Sequence, residues 1–501
     1  MALRRCLRAF SSVPPARVLR VDRGGLFSPS PPAPTQASEA QASLQSALRS
    51  TSFAAAGQAV PAEALAAGEE DTPLAVLLRS SILGRGPISM AEFMALCLSH
   101  PQHGYYMQPG PVLGRSGDFV TSPELSQLFG EMVGVWCVAA LEASVPGSSP
   151  FHLVEGGPGR GTLARDVLRV LARFPAHAQR LRAVHLVETS PTLRAVQAST
   201  LGCHASTHVL GGQQGQEGSL SSASISEGPW AGTPVHWFSS FSDLPTSGQG
   251  PDQPAALPAI TLCHELFDAL PVHQFTFTPG GWREILVDVQ GQQLRNVLSP
   301  GATPASAALS AWLASDTGRR YQQLCSASSS GSGSGSGSGS ASWPSLGDVC
   351  ETSPASQGLF NDLALRVRSS GGAALVVDYG PQAGGARALS IRGIQRHAFV
   401  DTLASPGRVD LSANVDFACF QAIGEAVPGV AVLGPVGQGR FLQQLGLGAR
   451  LQRLCAGREE AVVQALVGQA RRLAHPEEMG GIFKAMAIVP EASKAGLAPF
   501  F

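Results

Sequence analysis

Lysine is nearly absent from this chain. Lys484 and Lys494 are the only lysines among its 501 residues, and every other long basic side chain is an arginine. A phosphate-binding P-loop and a Schiff-base enzyme each need a lysine within the central fold. Both classes are therefore excluded for the middle of this chain.

Other absences exclude further classes of protein. The nine cysteines include no Cys-x-x-Cys pair, which argues for reduced thiols and against a disulfide framework or a zinc site, and no metal is expected. The formal net charge is −1, so a basic surface for nucleic acid is not indicated. Since no run of about 18 apolar residues occurs, no membrane-spanning helix is expected.

The N-terminus has the composition of an import signal. Residues 1–25 carry six arginines and one acid, Asp22, which is typical of a mitochondrial transit peptide, although a disordered basic tail would have the same composition. Residues 26–72 are rich in Ala, Ser, Pro and Gln and are interpreted as a disordered spacer. Residues 326–342, a Ser/Gly run, are expected to form a flexible insertion.

The remaining sequence predicts an α/β fold. Residues 73–148 have mostly helical spacing, with a helix beginning at Ser122 because Pro123 suits the first helical position. From residue 149 to 501, short apolar runs such as "FHLVE", "AVHLVE", "AITLCHE" and "AALVVDYG" alternate with helical stretches. This alternation predicts a doubly wound parallel sheet, with loop-and-helix additions beyond residue 380.

Acidic side chains follow the predicted strands. Ligands of such sheets bind beyond the carboxyl ends of the strands. Those ends carry four acids: Glu155, Glu188, Glu265 and Asp378.

The glycine-rich stretch "VEGGPGRGTL" follows the first of these strands. Thr162 stands where a P-loop has its lysine, and also where a dinucleotide-binding turn has its third glycine. Glu155 would in addition repel a pyrophosphate at the start of the next helix. A turn with a purely structural role remains an alternative.

S-adenosylmethionine fits this stretch better, because it carries a sulfonium and an ammonium but no phosphate. Glu155 suits those cations, while Gly157, Gly159 and Gly161 allow the backbone to approach a ligand closely. The helix N-terminus near Thr162 favours the ligand's carboxylate. Glu188 lies 33 residues after Glu155, which fits one strand–helix–strand unit of roughly 30 residues and places it to accept ribose hydroxyls.

A second acidic pair follows the third strand, in "LCHELFDALPVHQF". Glu265 and Asp268 share one side of a helical turn. Paired carboxylates hold a guanidinium through bidentate hydrogen bonds, so this pair is the predicted catalytic site. A helix cap is the alternative role for Asp268. His264 is interpreted as a core histidine with satisfied hydrogen bonds.

Several longer motifs occur in one order along the chain. "HGYY", "GRSGDFVTSPELSQLFGE", "VEGGPGRGTL", "HELFDALPVHQF", "VVDYG", "PGRVDLSANVDF" and "MGGIFKAMAI" together resemble the MidA family over roughly residues 75–500. The Ser/Gly run belongs to none of these motifs.

The resemblance implies a Rossmann-like, seven-strand-type methyltransferase core (residues 149–501) with an added N-terminal helical cap (residues 73–148) and C-terminal elements. It implies S-adenosyl-L-methionine as cofactor, with Glu155, Gly157, Gly159, Gly161 and Glu188 around it. It places Gly117 and Asp118 in a loop over the methionine end of the cofactor.

The resemblance also implies an activity: symmetric dimethylation of an arginine on a core subunit of respiratory complex I, in the mitochondrial matrix, early in assembly. Two other functions stay open on the sequence. One is an assembly chaperone that binds the cofactor without catalysis, and the other is a nicotinamide-dependent oxidoreductase.

Overall fold

A computed structural model describes residues 71–108, 120–204, 221–245, 256–327, 343–381 and 387–501. The predicted transit peptide, nearly all of the spacer, Gly117, Asp118 and residues 328–342 lie outside the described residues. No described helix is long and apolar enough to cross a membrane. In the same ranges no group of three or more His, Cys, Asp or Glu side chains is placed to hold a metal ion.

The strands of the described ranges form three sheets. In chain order they are β1 (Ile88–Ser89), β2 (Phe151–Gly156), β3 (Leu181–Val187), β4 (Cys203–His204), β5 (Ser221–Ile225), β6 (Pro234–Phe238), β7 (Ala259–His264), β8 (His273–Thr278), β9 (Gly281–Gln290), β10 (Gln293–Leu298), β11 (Val349–Thr352), β12 (Gly372–Tyr379), β13 (Arg392–Gln395), β14 (Ala398–Val400), β15 (Asp410–Ser412), β16 (Val430–Gly437) and β17 (Phe483–Pro490).

The largest sheet has the order β16-β17-β12-β7-β2-β3-β6-β5-β4. Strands β12, β7, β2, β3 and β6 are mutually parallel. The four segments that the sequence predicted as buried strands, which form β2, β3, β7 and β12, therefore lie side by side. Their carboxyl ends, with the acids that follow them, meet at one edge of the sheet.

Two expectations about this part of the fold are wrong. The sheet is not purely parallel, because β17 runs antiparallel between β12 and β16. The region beyond residue 380 is not only loops and helices, since it supplies β16, β17 and a small sheet with the order β14-β13-β15. The third sheet, β1-β9-β8-β11 with β10 on β9, was not predicted.

The α-helices of the described ranges are α1 (Pro73–Arg85), α2 (Met90–Ser99), α3 (Ser122–Leu125), α4 (Gln127–Ser144), α5 (Thr162–Leu171), α6 (Pro175–Ala178), α7 (Pro191–Thr200), α8 (Pro304–Ala314), α9 (Asp316–Ala327), α10 (Pro354–Ser370), α11 (Phe417–Glu425), α12 (Gln438–Gln444), α13 (Leu447–Cys455), α14 (Glu460–Ala474), α15 (Met479–Ile482) and α16 (Lys494–Leu497). Helix α9 thus includes Ser326 and Ala327, the first two residues of the Ser/Gly segment.

Many helix starts combine a hydroxyl cap with a proline. Helices α1, α7, α8 and α10 each begin with Pro after a Ser or Thr whose side chain accepts a backbone N–H of the first turn. The cap satisfies one of the unpaired N–H groups of that turn, and proline has no N–H to lose there.

The helix expected from Ser122 is interrupted. Helix α3 ends at Leu125, and Ser126 adopts an extended backbone with φ −160° before α4 begins. Its hydroxyl accepts the N–H of Leu128 at 3.4 Å and caps α4. Both Ser122-Pro123 and Ser126 are sound helix starts, and the chain uses both.

Helices cover both faces of the large sheet. On one face, buried Leu375 and Val377 of β12 belong to a core shared with α4 and α5. On the other, Ala374 and Val376 of the same strand pack with Phe360 of α10 and other residues. Alternate residues of one strand therefore enter two cores, as a doubly wound sheet requires. Helices α1 and α2 build a separate core with β9 and β15.

The repeated His-Leu-Val-Glu sequence puts two histidines side by side on β2 and β3. The rings of His152 and His185 lie 4.4 Å apart, centroid to centroid. Burial, reinforced by His152, His236 and Arg366, lowers the pKa of His185 from 6.5 to about 3. The folded protein therefore holds this imidazole neutral.

This burial predicts a loss of stability in mild acid. The unfolded chain binds a proton at His185 below about pH 6.5, whereas the folded chain binds it only near pH 3. The free energy of unfolding therefore falls as the pH drops from 6.5 towards 3. Replacing His185 with Phe should remove roughly 2 kcal/mol of the loss between pH 6.5 and 5. Urea unfolding at several pH values measures the slope, with His397→Asn at an exposed position as control. Equal slopes in wild type and His185→Phe would contradict the prediction.

Candidate active site

A cavity of ≈ 570 Å³ opens beyond the carboxyl ends of β2, β3 and β7. Its lining includes Glu155, Gly157, Gly159, Glu188, Glu265 and Asp268. These sequence-predicted residues are therefore gathered around one space. Gly161 lies at the end of the same loop, just before α5.

The glycine loop uses backbone conformations that favour glycine. Gly157, Gly159 and Gly161 have φ angles of +60°, +51° and +79°, in a region where a side chain would be strained. Gly161 also serves as the N-cap of α5. Thr162, the residue that excluded the phosphate-binding motifs, donates its hydroxyl to Glu124.

Glu155 is a buried acid with an unused oxygen. Only 3% of the residue is exposed, and its Oε2 has no hydrogen bond within the described ranges. Burial raises the pKa of this carboxyl from 4.5 to about 8. A cation beside Glu155 would offset this cost, so the site fits the ammonium and sulfonium groups of S-adenosyl-L-methionine.

Glu188 is held by a network that the sequence did not indicate. Its Oε1 accepts the N–H of Ser190 at 2.8 Å, and its Oε2 accepts the Gln197 amide at 3.1 Å. The same Gln197 nitrogen donates to Gly159 O at 2.8 Å, while Gln197 Oε1 accepts the indole N–H of Trp237 at 2.8 Å. Gln197 thus fixes the distance between the glycine loop and Glu188.

Gln197 could not be recognised from the sequence, because its role depends on contacts with residues far away along the chain. It is completely buried in α7, and its partners come from β6 and from two loops. A single glutamine in a polar helical stretch carries no local signal of such a role.

The turn after β7 presents the second acidic pair. Glu265 has φ +50°, an unusual conformation for a residue with a side chain, and its Oε1 accepts the N–H of Ser122 at 3.3 Å. Burial, with repulsion from Asp268 and Asp378, raises its pKa well above the ordinary value. Glu265 therefore lies in a position where a cation would be stabilised.

Asp378 stabilises this turn by accepting hydrogen bonds from its backbone. Its Oδ2 accepts the N–H groups of Leu266, Phe267 and Asp268 at 3.2, 2.9 and 3.4 Å. It is fully buried and is not among the residues that line the cavity. Of the four strand-end acids, Asp378 alone supports the site from outside the cavity.

His264 is buried, as predicted, but it is not satisfied. Its ring packs against Phe129 with centroids 4.8 Å apart, and burial lowers its pKa from 6.5 to about 3. Its Nε2 lies 3.1 Å from Glu265 Oε1. That pair is too poorly aligned to count as a hydrogen bond, so Nε2 has no hydrogen-bond partner in the described part of the chain.

The cavity is strongly acidic. The carboxylates that line it are Glu124, Glu155, Glu188, Glu265, Asp268, Asp362 and Asp410. Arg160 is the only arginine among its described lining residues, and no lysine is present there. Such a surface favours positively charged ligands.

The order of the core strands and the ligand cavity at their carboxyl ends define a Rossmann-like methyltransferase. Comparisons agree with that class. A family model described as "Putative S-adenosyl-L-methionine-dependent methyltransferase" matches residues 132–436. The chain belongs to this family, and S-adenosyl-L-methionine is its cofactor. The resemblance stated from the motifs is thereby confirmed.

Three curated relatives span most of the chain. The mouse "Protein arginine methyltransferase NDUFAF7, mitochondrial" is 36% identical over 84% of this chain and 85% of its own length. The human protein of that name is 34% identical, covering 85% of each chain. The Drosophila melanogaster homolog is 37% identical over 85% of this chain and 86% of its own length.

A solved structure supports the fold. The crystal structure of a Burkholderia thailandensis protein bound to S-adenosyl-homocysteine has a TM-score of 0.62 and 24% identity to this chain. The match covers 88% of this chain and 97% of that one. The predicted methyltransferase fold is therefore confirmed.

Proposed function

We propose that this methyltransferase acts on protein arginine. The observation that carries the proposal is the pair Glu265 and Asp268, whose side chains are shielded from solvent and share one cavity with the glycine loop. The names of the relatives, which are mitochondrial protein arginine methyltransferases, support it. The finer proposal is symmetric dimethylation of an arginine on a core subunit of complex I, in the matrix, as a step needed for assembly.

Glu155 is assigned to the cationic end of the cofactor and the glycine loop to its backbone contacts. Each Glu188 oxygen already accepts one hydrogen bond, and each has a second lone pair for a ribose hydroxyl. The start of α5 and Arg160 suit the methionine carboxylate. Gly117 and Asp118, which lie outside the described residues, remain proposed cofactor contacts.

Bound S-adenosyl-L-methionine supplies a methyl group on a positively charged sulfur. Glu265 and Asp268 would hold the substrate guanidinium through charge-assisted hydrogen bonds and orient one nitrogen toward the cofactor. Glu265 is also the base that accepts the proton lost by this nitrogen. Burial raises the pKa of Glu265, and a bound guanidinium favours its charged form, which can then accept this proton.

Replacing Glu188 with Ala should weaken S-adenosyl-L-methionine binding by about 1–3 kcal/mol, because hydrogen bonds to a charged acceptor are lost. Calorimetric titration measures this change. Glu142→Ala, at an exposed position on α4, serves as the control. If Glu188→Ala binds the cofactor as tightly as wild type, Glu188 does not hold the ribose.

The substrate is tested by incorporation of tritiated methyl into candidate core subunits of complex I, followed by mass spectrometry of the product. Symmetric dimethylarginine on one subunit, absent after its arginine is changed to lysine, is the expected result. Cofactor binding without transfer to any subunit would favour an assembly chaperone. Binding of NADH in place of S-adenosylhomocysteine would favour an oxidoreductase.

A further inference from the structure

Elements outside the large sheet also contribute to the lining of the cavity. Asp410 at the start of β15 and Tyr106 in the turn Tyr105–Met107 after α2 both line it. The Tyr106 hydroxyl donates to Asp410 Oδ1 at 3.0 Å. The small sheet and the N-terminal helices thus bring a Tyr–Asp pair into the candidate site.

This pair belongs to the same charge cluster as the acids after β7. Asp410 and Asp268 both contribute to the raised pKa of Glu265, after burial itself. They contribute likewise to the raised pKa of Tyr106. Asp268 also has a tyrosine beside it, since Tyr379 opposes the rise in the pKa of Asp268 that burial causes. Three carboxylates and two phenols therefore surround one end of the cavity.

The cluster has an unused acceptor that points to a ligand. Asp268 is only 8% exposed, lines the cavity, and has no hydrogen bond to its Oδ1 within the described ranges. The charge of Arg392 lowers the pKa of Asp268, but the Arg392 side chain stacks over the Tyr379 ring at 4.3 Å and donates to Asn414. No arginine or lysine of the described residues forms an ion pair with Glu265 or Asp268. A bound cation would favour the charged forms of Glu265 and Asp268 and offset the cost of their burial.

A guanidinium matches this cluster better than an ammonium does. It offers five N–H donors in one plane and can be shared among several carboxylates, whereas an ammonium is a compact point charge with three donors. We propose that Asp410, oriented by Tyr106, binds the substrate guanidinium together with Glu265 and Asp268. The inference rests on the proposed arginine substrate. It places part of the selection for arginine on elements outside the methyltransferase core.

Binding of three matched probes tests this without knowledge of the client protein. Each is an adenosine carrying a short chain from its 5′ carbon, ending in a guanidine, in the uncharged urea of the same shape, or in a primary amine. Wild type should bind the guanidine roughly 10- to 100-fold more tightly than the urea, and more tightly than the amine. In Asp410→Asn the ratio of guanidine affinity to urea affinity (the guanidine/urea ratio) should fall at least fivefold. The affinity for S-adenosylhomocysteine should stay within twofold of wild type.

The Tyr106→Phe variant tests whether the Tyr106 hydroxyl orients Asp410 and stabilises its charged form. Without its hydroxyl donor, the charged form of Asp410 is less stable, so the guanidine/urea ratio should fall at neutral pH and recover as the pH rises. A purely structural role for Tyr106 would give a fall that does not depend on pH. Asp401→Asn, an exposed position in the loop between β14 and β15, is the matched control and should leave every ratio unchanged.

The outcomes separate this inference from the proposed function. If wild type binds S-adenosylhomocysteine but does not prefer the guanidine, the arginine substrate itself is wrong. If the preference for guanidine over urea is lost in Glu265→Gln but unchanged in Asp410→Asn, the arginine substrate is supported and the role of Asp410 is overturned. Should Asp410→Asn fail to fold, Tyr106→Phe is the second variant, and an unchanged ratio of guanidine to urea affinity there at neutral pH would overturn the inference equally.

Discussion

Replacing Glu265 with Gln is expected to slow methyl transfer by roughly two orders of magnitude, which corresponds to about 2.7 kcal/mol of transition-state stabilisation. Glutamine keeps the size of the side chain and some hydrogen bonding, but it can neither pair with a guanidinium nor take up its proton. Cofactor binding should stay within a few-fold, since Glu155 and the glycine loop are unchanged. Tritiated methyl incorporation and cofactor titration on the same sample measure both quantities.

The control for this variant is Glu142→Gln, the same substitution at an exposed position on α4. Equal losses of cofactor binding and methyl transfer would assign Glu265 to the cofactor site. Unchanged transfer would mean that the guanidinium binds elsewhere, and Asp268 would be the next residue to test.

Replacing Asp378 with Ala should have the largest effect on stability. Its two oxygens accept four backbone N–H groups, three from the turn after β7 and that of Tyr379 at 2.9 Å. Because Asp378 is fully buried, water cannot replace the carboxylate in the intact structure. We expect the free energy of unfolding to fall by about 3 kcal/mol. Methyl transfer should be lost as well, because the turn that orients Glu265 and Asp268 loses its support.

Urea unfolding measures the first effect and methyl incorporation the second. Asp288→Ala is the matched control, since Asp288 makes a partly exposed ion pair with Arg295 at 3.0 Å and its loss should cost less than about 1 kcal/mol. Stability equal to wild type in Asp378→Ala would show that this carboxylate does not anchor the turn.

Much of the central fold could be predicted because its signals are local. The buried strands at 151–156, 181–187, 259–264 and 372–379 are short apolar runs that end in acids, and the helix between the first two has an amphipathic pattern. The position of β17 could not be predicted, since its apolar run Phe483–Pro490 does not specify which strands it pairs with. Its insertion between β12 and β16 depends on contacts with residues far away along the chain.

Some residues of the candidate site could be predicted from the sequence and others could not. Glu155, Glu188 and Glu265 were predicted from their places at strand ends, because parallel strands bring those ends to one edge. Gln197 was missed because it lies in none of the quoted motifs. Tyr106 and Asp410 lie in "HGYY" and "PGRVDLSANVDF", but the sequence did not show that they reach the cavity. Asp410 lies 145 residues beyond Glu265 along the chain, so no spacing rule joins them.

The sequence by itself determined the glycine loop and the strand-end acids and favoured S-adenosylmethionine over phosphate ligands, because backbone conformation, side-chain periodicity and charge are properties of a few neighbouring residues. The tertiary structure decided which acids act together. In the folded protein Asp378 lies against the turn after β7 and accepts four backbone N–H groups. Asp410 lines the cavity from a separate sheet. The physical reason is that hydrogen-bond pairing and burial depend on three-dimensional proximity, which only the packing of distant segments creates.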